Sequence, residues 1–181
     1  PDSILFGRAE PGGLVNIRSR PLAAEPTREL AQTVGEYGLS RTSARIGGAL
    51  DSGQHWVAAV SGSYLNTGSN RDYVVEKLAS VNASLGWRPS ADTSMTLSVD
   101  YLNHRYRNDY GVPSDGARPA DIPLNTAYNN APVLSKAETQ VYRLDARQAI
   151  GGDWQLRLRG IHMRSHTREL DVAPSRADLT T

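Results

Sequence analysis

Side chains alternate between apolar and polar along most of this chain, and the alternation has the two-residue period of a strand rather than the 3.6-residue period of a helix. The pattern is clearest over about 54–66, where Trp56, Ala58, Val60, Gly62 and Tyr64 share one face and Ser61 and Ser63 the other. Residues 72–87 set Val75, Ala79, Val81, Ala83, Leu85 and Trp87 against Glu76, Ser80, Asn82 and Ser84, with Lys77 breaking the apolar face and assigned to the outer rim. Residues 93–106 set Met95, Leu97, Val99 and Tyr101 against Thr96, Ser98 and Asp100. Residues 138–150 set Tyr142, Leu144, Ala146 and Ile150 against Arg143, Asp145 and Arg147. Residues 153–168 set Trp154, Leu156, Leu158 and Gly160 against Gln155, Arg157, Arg159 and Ile161. Two weaker strands, 28–38 and 41–50, precede these, joined near Leu39-Ser40. The stretch 107–137 has no usable period and carries Pro113, Pro119, Pro123 and Pro132; a loop this long inside a compact domain points to function.

The predicted strands reach ten to sixteen residues, well beyond the five or six usual in soluble sheets and suited to a tilted strand crossing hydrocarbon. Short turns come after the second, fourth and sixth strands, and longer links after the third and fifth. All three tryptophans sit beside the short turns: Trp56 after Asp51-Ser52-Gly53-Gln54, Trp87 before Arg88-Pro89, and Trp154 after Gly151-Gly152-Asp153. Indole settles at the headgroup boundary, so one rim marked by Trp suggests a meander standing in a bilayer. A soluble β-sandwich or lipocalin-like barrel would also alternate, and it stays open as the alternative.

Composition narrows the partners. The chain has 181 residues with 20 basic against 19 acidic side chains, so no strong field points to nucleic acid. It has no cysteine, which excludes disulfides, thiolate metal sites and a cysteine nucleophile. No apolar run is long enough for a transmembrane helix; a barrel remains possible because its lipid-facing and lumen-facing residues cancel in the average. The opening Pro1-Asp2-Ser3 reads as the middle of a longer chain.

Residues 1–27 differ from the rest. Gly7-Arg8-Ala9-Glu10-Pro11-Gly12-Gly13 leads into the apolar strand Leu14-Val15-Asn16-Ile17 and the basic exit Arg18-Ser19-Arg20-Pro21. This stretch resembles the end of the plug domain of TonB-dependent outer-membrane receptors, in the ferric-siderophore branch. The later segments are similar to that family in their order as well: a Pro26-Thr27 linker, Asp51 at the end of the second strand, Trp87-Arg88-Pro89, and Tyr110-Gly111-Val112-Pro113 opening a long loop.

The resemblance implies an all-β fold: the C-terminal end of a plug and its linker over 1–27, then the N-terminal part of a transmembrane antiparallel β-barrel over 28–181, about 7 of 22 strands in an up-and-down meander. Seven strands cannot close such a barrel, so both edges would be unpaired in isolation. It further implies uptake of a ferric siderophore across the bacterial outer membrane, TonB as energy source through an absent N-terminal segment, contact with outer-membrane lipid, and a monomer. A receptor of the same build for cobalamin, haem or a carbohydrate is the alternative cargo.

Candidate chemistry is sparse. Gly12-Gly13 precedes a strand rather than a helix, which favours a structural turn over a phosphate cradle. His162 and His166 lie about 13 Å apart on a strand, too far to share one ion. No catalytic signature stands out, so the chain is read as a non-enzyme with no cofactor or resident metal. Tyr106, Arg107, Tyr110 and Tyr128 offer aromatic faces, phenols and a guanidinium that suit an iron chelate with an organic shell and negative charge. The resemblance puts ligand contacts near the Tyr-Gly start of the long loop, at Tyr110 and its neighbours. Arg18 and Arg20 are the candidates for plug–barrel contacts, pairing with carboxylates of the barrel wall.

Overall fold

The computed structural model describes residues 20–112, 114–115, 118–127 and 134–169. Its strands are β1 Thr27–Val34, β2 Ser40–Ala49, β3 Trp56–Gly68, β4 Val75–Trp87 and β5 Thr93–Tyr106. A small hairpin comes next, β6 Ser114–Asp115 and β7 Arg118–Pro119, and then β8 Ser135–Gly151 and β9 Trp154–Arg168. Seven strands form one sheet in the order β1-β2-β3-β4-β5-β8-β9, every pair antiparallel and next-neighbour; β6 and β7 pair separately. This is an up-and-down meander, with the fold of part of a transmembrane barrel wall.

Three differences from the predicted elements have physical causes. The first strand ends at Val34, short of 38, because Tyr37 (φ 56°) and Gly38 (φ 72°) adopt left-handed backbone in a turn closed by the Gly35 N–H donating to the Leu39 carbonyl at 2.9 Å. The eighth strand begins at Ser135, ahead of 138: its first outward residues, Lys136, Glu138 and Gln140, are polar, so polar–polar alternation hides the strand from a hydrophobicity pattern. The loop predicted without period contains the β6–β7 hairpin.

Register divides the side chains between two faces. One carries Leu30, Ile46, Val60, Val81, Leu85, Leu97, Leu156 and Leu158, each at least 39% exposed. Among the described residues no second sheet covers them. A soluble sandwich would bury this face against a second sheet. The other face is concave and polar, and forms a trough of about 540 Å³ lined by Glu29, Ser43, Arg45, Ser63, Asn82 and Asp100, among others. The two most enclosed apolar residues, Val57 and Ala59, lie on this inner face near the short turns.

A diagonal offset in the register gives the tilt. Trp56 stands opposite Trp87, Trp87 opposite Met95, Met95 opposite Ala146, and Ala146 opposite Leu158. The tryptophan of β9 is Trp154, four residues nearer the short-turn rim after four pairings. The rim therefore drifts about one residue per strand. With a rise of about 3.4 Å and a strand spacing of about 4.8 Å, that drift corresponds to a tilt of roughly 35°, the geometry of a transmembrane barrel wall.

A second aromatic line runs along the same diagonal. Tyr64 lies in the row of Ala79, Asn103 and Glu138, and Tyr101 and Tyr142 sit progressively nearer the short-turn rim. The Tyr101 hydroxyl donates to Glu138 Oε1 at 3.2 Å and the Tyr142 hydroxyl to Gln140 Oε1 at 3.3 Å, both toward the long-loop end. Eight residues separate Trp56 from Tyr64, roughly 26 Å along the strand and about 21 Å along the membrane normal at this tilt. The tryptophan and tyrosine lines thus bracket an apolar band close in height to a barrel's hydrocarbon zone.

Candidate functional site

The inner face is the first part of the site. Small hydroxyls pair across it: Ser63 with Ser80 at 2.8 Å, and Ser84 with Ser98 at 3.0 Å. Asn82 Nδ2 donates to Asp100 Oδ1 at 2.6 Å, and Arg143 pairs with the other oxygen of Asp100. Nearer the short turns, Asp145 gathers three guanidiniums: Arg157 Nη2 at 2.6 Å, Arg147 Nε at 3.2 Å and Arg159 Nε at 3.4 Å. Strand parity brings these charges inward, because Asp145, Arg147, Arg157 and Arg159 occupy alternate positions on two paired strands. On the outward face an arginine at mid-band would cost about 2–4 kcal/mol.

A strap lies over this face at the short-turn end. Leu22 rests on Gly86, where an added Cβ would come within 3.0 Å of Leu22 Cδ1. Arg88 Nη2 donates to the Leu22 carbonyl at 3.2 Å, and the Ala49 N–H to the Ala24 carbonyl at 2.9 Å. Arg20 Nη1 is 2.6 Å from Glu29 Oε1, a carboxylate on the inner face of β1. Both side chains are exposed. Arg18, the other candidate for a plug–barrel contact, lies outside the described residues.

At the opposite rim the two long loops are fastened to each other. Arg71, in the β3–β4 loop, is mostly buried; its Nε is 3.1 Å from Asp109 Oδ2 and its Nη1 donates to the Thr126 carbonyl at 3.2 Å. The Asp72 N–H donates to the Asn125 carbonyl at 2.8 Å, and Asn125 Nδ2 returns a bond to Asp72 Oδ2 at 3.2 Å. Asn108 Nδ2 extends the network to Glu169 Oε1 at 3.1 Å.

The predicted ligand residues fall around this junction. Tyr106 ends β5 on the inner face, half-buried, stacked on His104 with centroids 4.5 Å apart; His104 Nε2 lies 3.0 Å from Glu76 Oε1. Arg107 Nη1 donates to the Tyr73 carbonyl at 2.7 Å, and its N–H to the Val75 carbonyl at 3.0 Å, so it ties the β3–β4 loop to the long loop. Tyr110 is 41% exposed three residues further on. Tyr128 lies outside the described residues. Sequence reasoning missed Arg71, Asp72, Asp109 and Asn125; their partners are 38 to 55 residues away in aperiodic segments, and no local signal links them.

At the short-turn rim, Asp51 organises the β2–β3 link. Its Oδ1 accepts the Trp56 N–H at 2.7 Å and its Oδ2 the His55 N–H at 3.2 Å. These bonds, the Trp56 one foremost, hold its carboxyl below the usual carboxylate range. Among the described residues no three His, Asp or Glu side chains converge as a metal site would require. His162 and His166 share the outward face of β9, opposite Tyr142 and Glu138.

No protein-family model matches the chain. Among curated proteins it is 24% identical over 168 residues to the metal-pseudopaline receptor CntO of Pseudomonas aeruginosa, covering 92% of this chain and 24% of that protein. It is 26% identical over 117 residues to the ferrichrome outer membrane transporter/phage receptor of Escherichia coli, covering 64% of this chain and 16% of that protein. The chain thus spans about a quarter of the length of the curated relative it matches most fully. Among solved structures, the siderophore receptor PiuA of Acinetobacter baumannii superposes with a TM-score of 0.70 at 17% identity, over 80% of this chain and 22% of PiuA. At that identity the superposition speaks for the fold.

Proposed function

We infer that this chain, as part of the barrel of a TonB-dependent outer-membrane receptor, belongs to a protein that takes up a ferric siderophore. The observation that carries this reading is the division of the sheet: an apolar outward face bracketed by aromatic lines, and an ion-paired, hydroxyl-rich inner face. Such a wall holds a filled, polar lumen rather than a hydrophobic core. The relatives are named as receptors and transporters, for metal-pseudopaline and for ferrichrome, which supports a metal chelate as cargo and no covalent chemistry.

In this reading the chelate docks at the long-loop rim. Tyr106 and Tyr110 supply aromatic surface there, while Arg107 holds the two loops together and presents them as one ledge. Tyr128 completes the proposed ligand set. Residues 1–27 form the end of the plug, and Arg20, with Arg18, anchors that exit to the wall. TonB acts through a segment outside this chain. The name of the Pseudomonas relative, a metal-pseudopaline receptor, favours chelates of metals other than iron as the second reading.

The test is uptake of radiolabelled iron from a panel of ferric siderophores, by iron-starved cells with and without the full receptor, and with and without TonB. Uptake of at least one siderophore that needs both is expected. Uptake of none, with TonB-dependent uptake of another metal chelate instead, would replace the first reading by the second.

A further inference from the structure

The long loop leaves the sheet after Tyr106 and rejoins it at Ser135, and a side chain of another loop grips both of its limbs. Arg71, in the β3–β4 loop, sets its Nε 3.1 Å from Asp109 Oδ2 on the outgoing limb and donates from Nη1 to the Thr126 carbonyl on the return limb at 3.2 Å. Its side chain is 14% exposed. A guanidinium so far out of water needs its charge and hydrogen-bond partners in place. These partners come from opposite limbs, so both limbs have to be seated together. With either one displaced, the cation is left short of partners in a half-dry site.

The grip passes on to an aromatic residue. Asp109 uses its other oxygen, Oδ1, to accept the Gly111 N–H at 2.9 Å. Gly111 has φ 72°, left-handed backbone that glycine takes without strain. One carboxylate thus holds the guanidinium on one side and a tight turn on the other, and Tyr110 is the residue inside that turn. Asp109 therefore sets the direction in which Tyr110 leaves the backbone. The segment carrying Arg71 is itself held. The Asp72 N–H donates to the Asn125 carbonyl at 2.8 Å, and Arg107 Nη1 donates to the Tyr73 carbonyl at 2.7 Å. Tyr73 has φ 66°, a backbone conformation that a tyrosine keeps only where its surroundings impose it.

We propose that Arg71 is a positioning residue for cargo capture: through Asp109 it fixes the direction in which Tyr110 meets the chelate, and through the Thr126 carbonyl it keeps the return limb on the same ledge. It touches no cargo itself. This role rests on the reading of Tyr110 as a cargo contact given above. Without the grip the two limbs sample separate positions, and only a fraction of the receptors presents both. Apparent affinity falls by that fraction, while the transport step after capture is untouched.

The experiment uses the full receptor, in nanodiscs for amide exchange and binding and in iron-starved cells for uptake. Exchange of the Gly111 amide needs no cargo: Arg71→Gln is expected to speed it about tenfold, and Arg71→Lys, which keeps the charge without the fork that reaches both partners, by less. The probe for binding is the chelate with the highest uptake in the panel above. Arg71→Gln and Asp109→Asn are each expected to raise its Kd about tenfold, as for a receptor of which about a tenth stays competent, and the double variant to raise it no further. Saturating uptake is expected to stay within about twofold of wild type, a split between affinity and rate that general damage to the fold would not give. Unchanged Gly111 exchange in Arg71→Gln, an unshifted Kd in both single variants, additive shifts in the double variant, or a saturating rate that falls with affinity would each overturn the proposal. If Arg71→Gln does not assemble, Arg71→Lys and Asp109→Asn carry the same comparison. A panel in which no ferric siderophore is taken up sinks the cargo reading alone; the metal chelate taken up in its place then serves as the probe.

Discussion

Replacing Leu97 by arginine puts the lipid-facing assignment under its hardest test. Leu97 is 47% exposed on the outward face, in the row of Ala58, Leu85 and Leu144. It lies four residues from Tyr101 and four from Thr93, where β5 begins. Each interval is about 13 Å along the strand, or roughly 11 Å along the membrane normal at the tilt derived above. Leu97 therefore sits near the bilayer midplane, where an arginine costs about 2–4 kcal/mol, a roughly 30- to 1,000-fold loss in the folded-to-unfolded ratio. Ser98, the next residue, faces the lumen and donates or accepts one hydroxyl bond with Ser84. Ser98→Arg loses that bond, about 1 kcal/mol, and gains a wet environment for its charge. Reversible urea unfolding of the full receptor in phospholipid vesicles, tracked by tryptophan fluorescence, measures both. If water bathed the outward face, Leu97→Arg would change stability by less than about 0.5 kcal/mol. That result, or equal costs for the two variants, would refute the assignment.

The contacts at Asp145, Arg20 and Asp51 set three further expectations. Asp145→Ala leaves Arg147, Arg157 and Arg159 without their shared carboxylate; because all four side chains are partly exposed, the expected loss is about 1 kcal/mol in the same unfolding assay, largely relieved by adding Arg157→Ala. Reversing Arg20 to Glu separates the strap from Glu29 and is expected to raise proteolysis of the strap, with Glu29→Arg restoring protection in the double variant; no restoration would mean that the pair does not hold it. Asp51 has a depressed carboxyl pKa in the fold, so its contribution is complete above the ordinary value of 3.8 and is lost as pH falls through the lower folded value. Asp51→Asn is therefore expected to flatten the pH dependence of the urea midpoint below about pH 4 and to leave its slope at about pH 6 to 8 unaltered.

Much of the wall was legible from the chain alone, and the reason is local. Strand parity is a property of consecutive residues, so the split between Leu97 and Ser98, or between Leu158 and Arg159, needs no knowledge of neighbours. The short turns with Trp56, Trp87 and Trp154 are local as well, since Gly, Pro and Asp set backbone geometry within a short turn. The beginning of β8 was not legible: Lys136, Glu138 and Gln140 stand beyond the apolar band, where both faces of a strand are wet and alternation carries no contrast. Arg107 read as a ligand group by residue type, and the fold gives its guanidinium a carbonyl at Tyr73.

What the chain could not disclose is everything that depends on which residues stand side by side across strands. Lys77, Arg105, Lys136 and Arg168 are four isolated interruptions in sequence and become one charged row only through the register. The tilt emerges from the offset between Trp56 and Trp154, and the fastening of Arg71 to Asp109 from two loops meeting in space. A period of two assigns each side chain to a face, but hydrogen-bond pairing between strands decides its height and its neighbours, and those are set by the sheet as a whole.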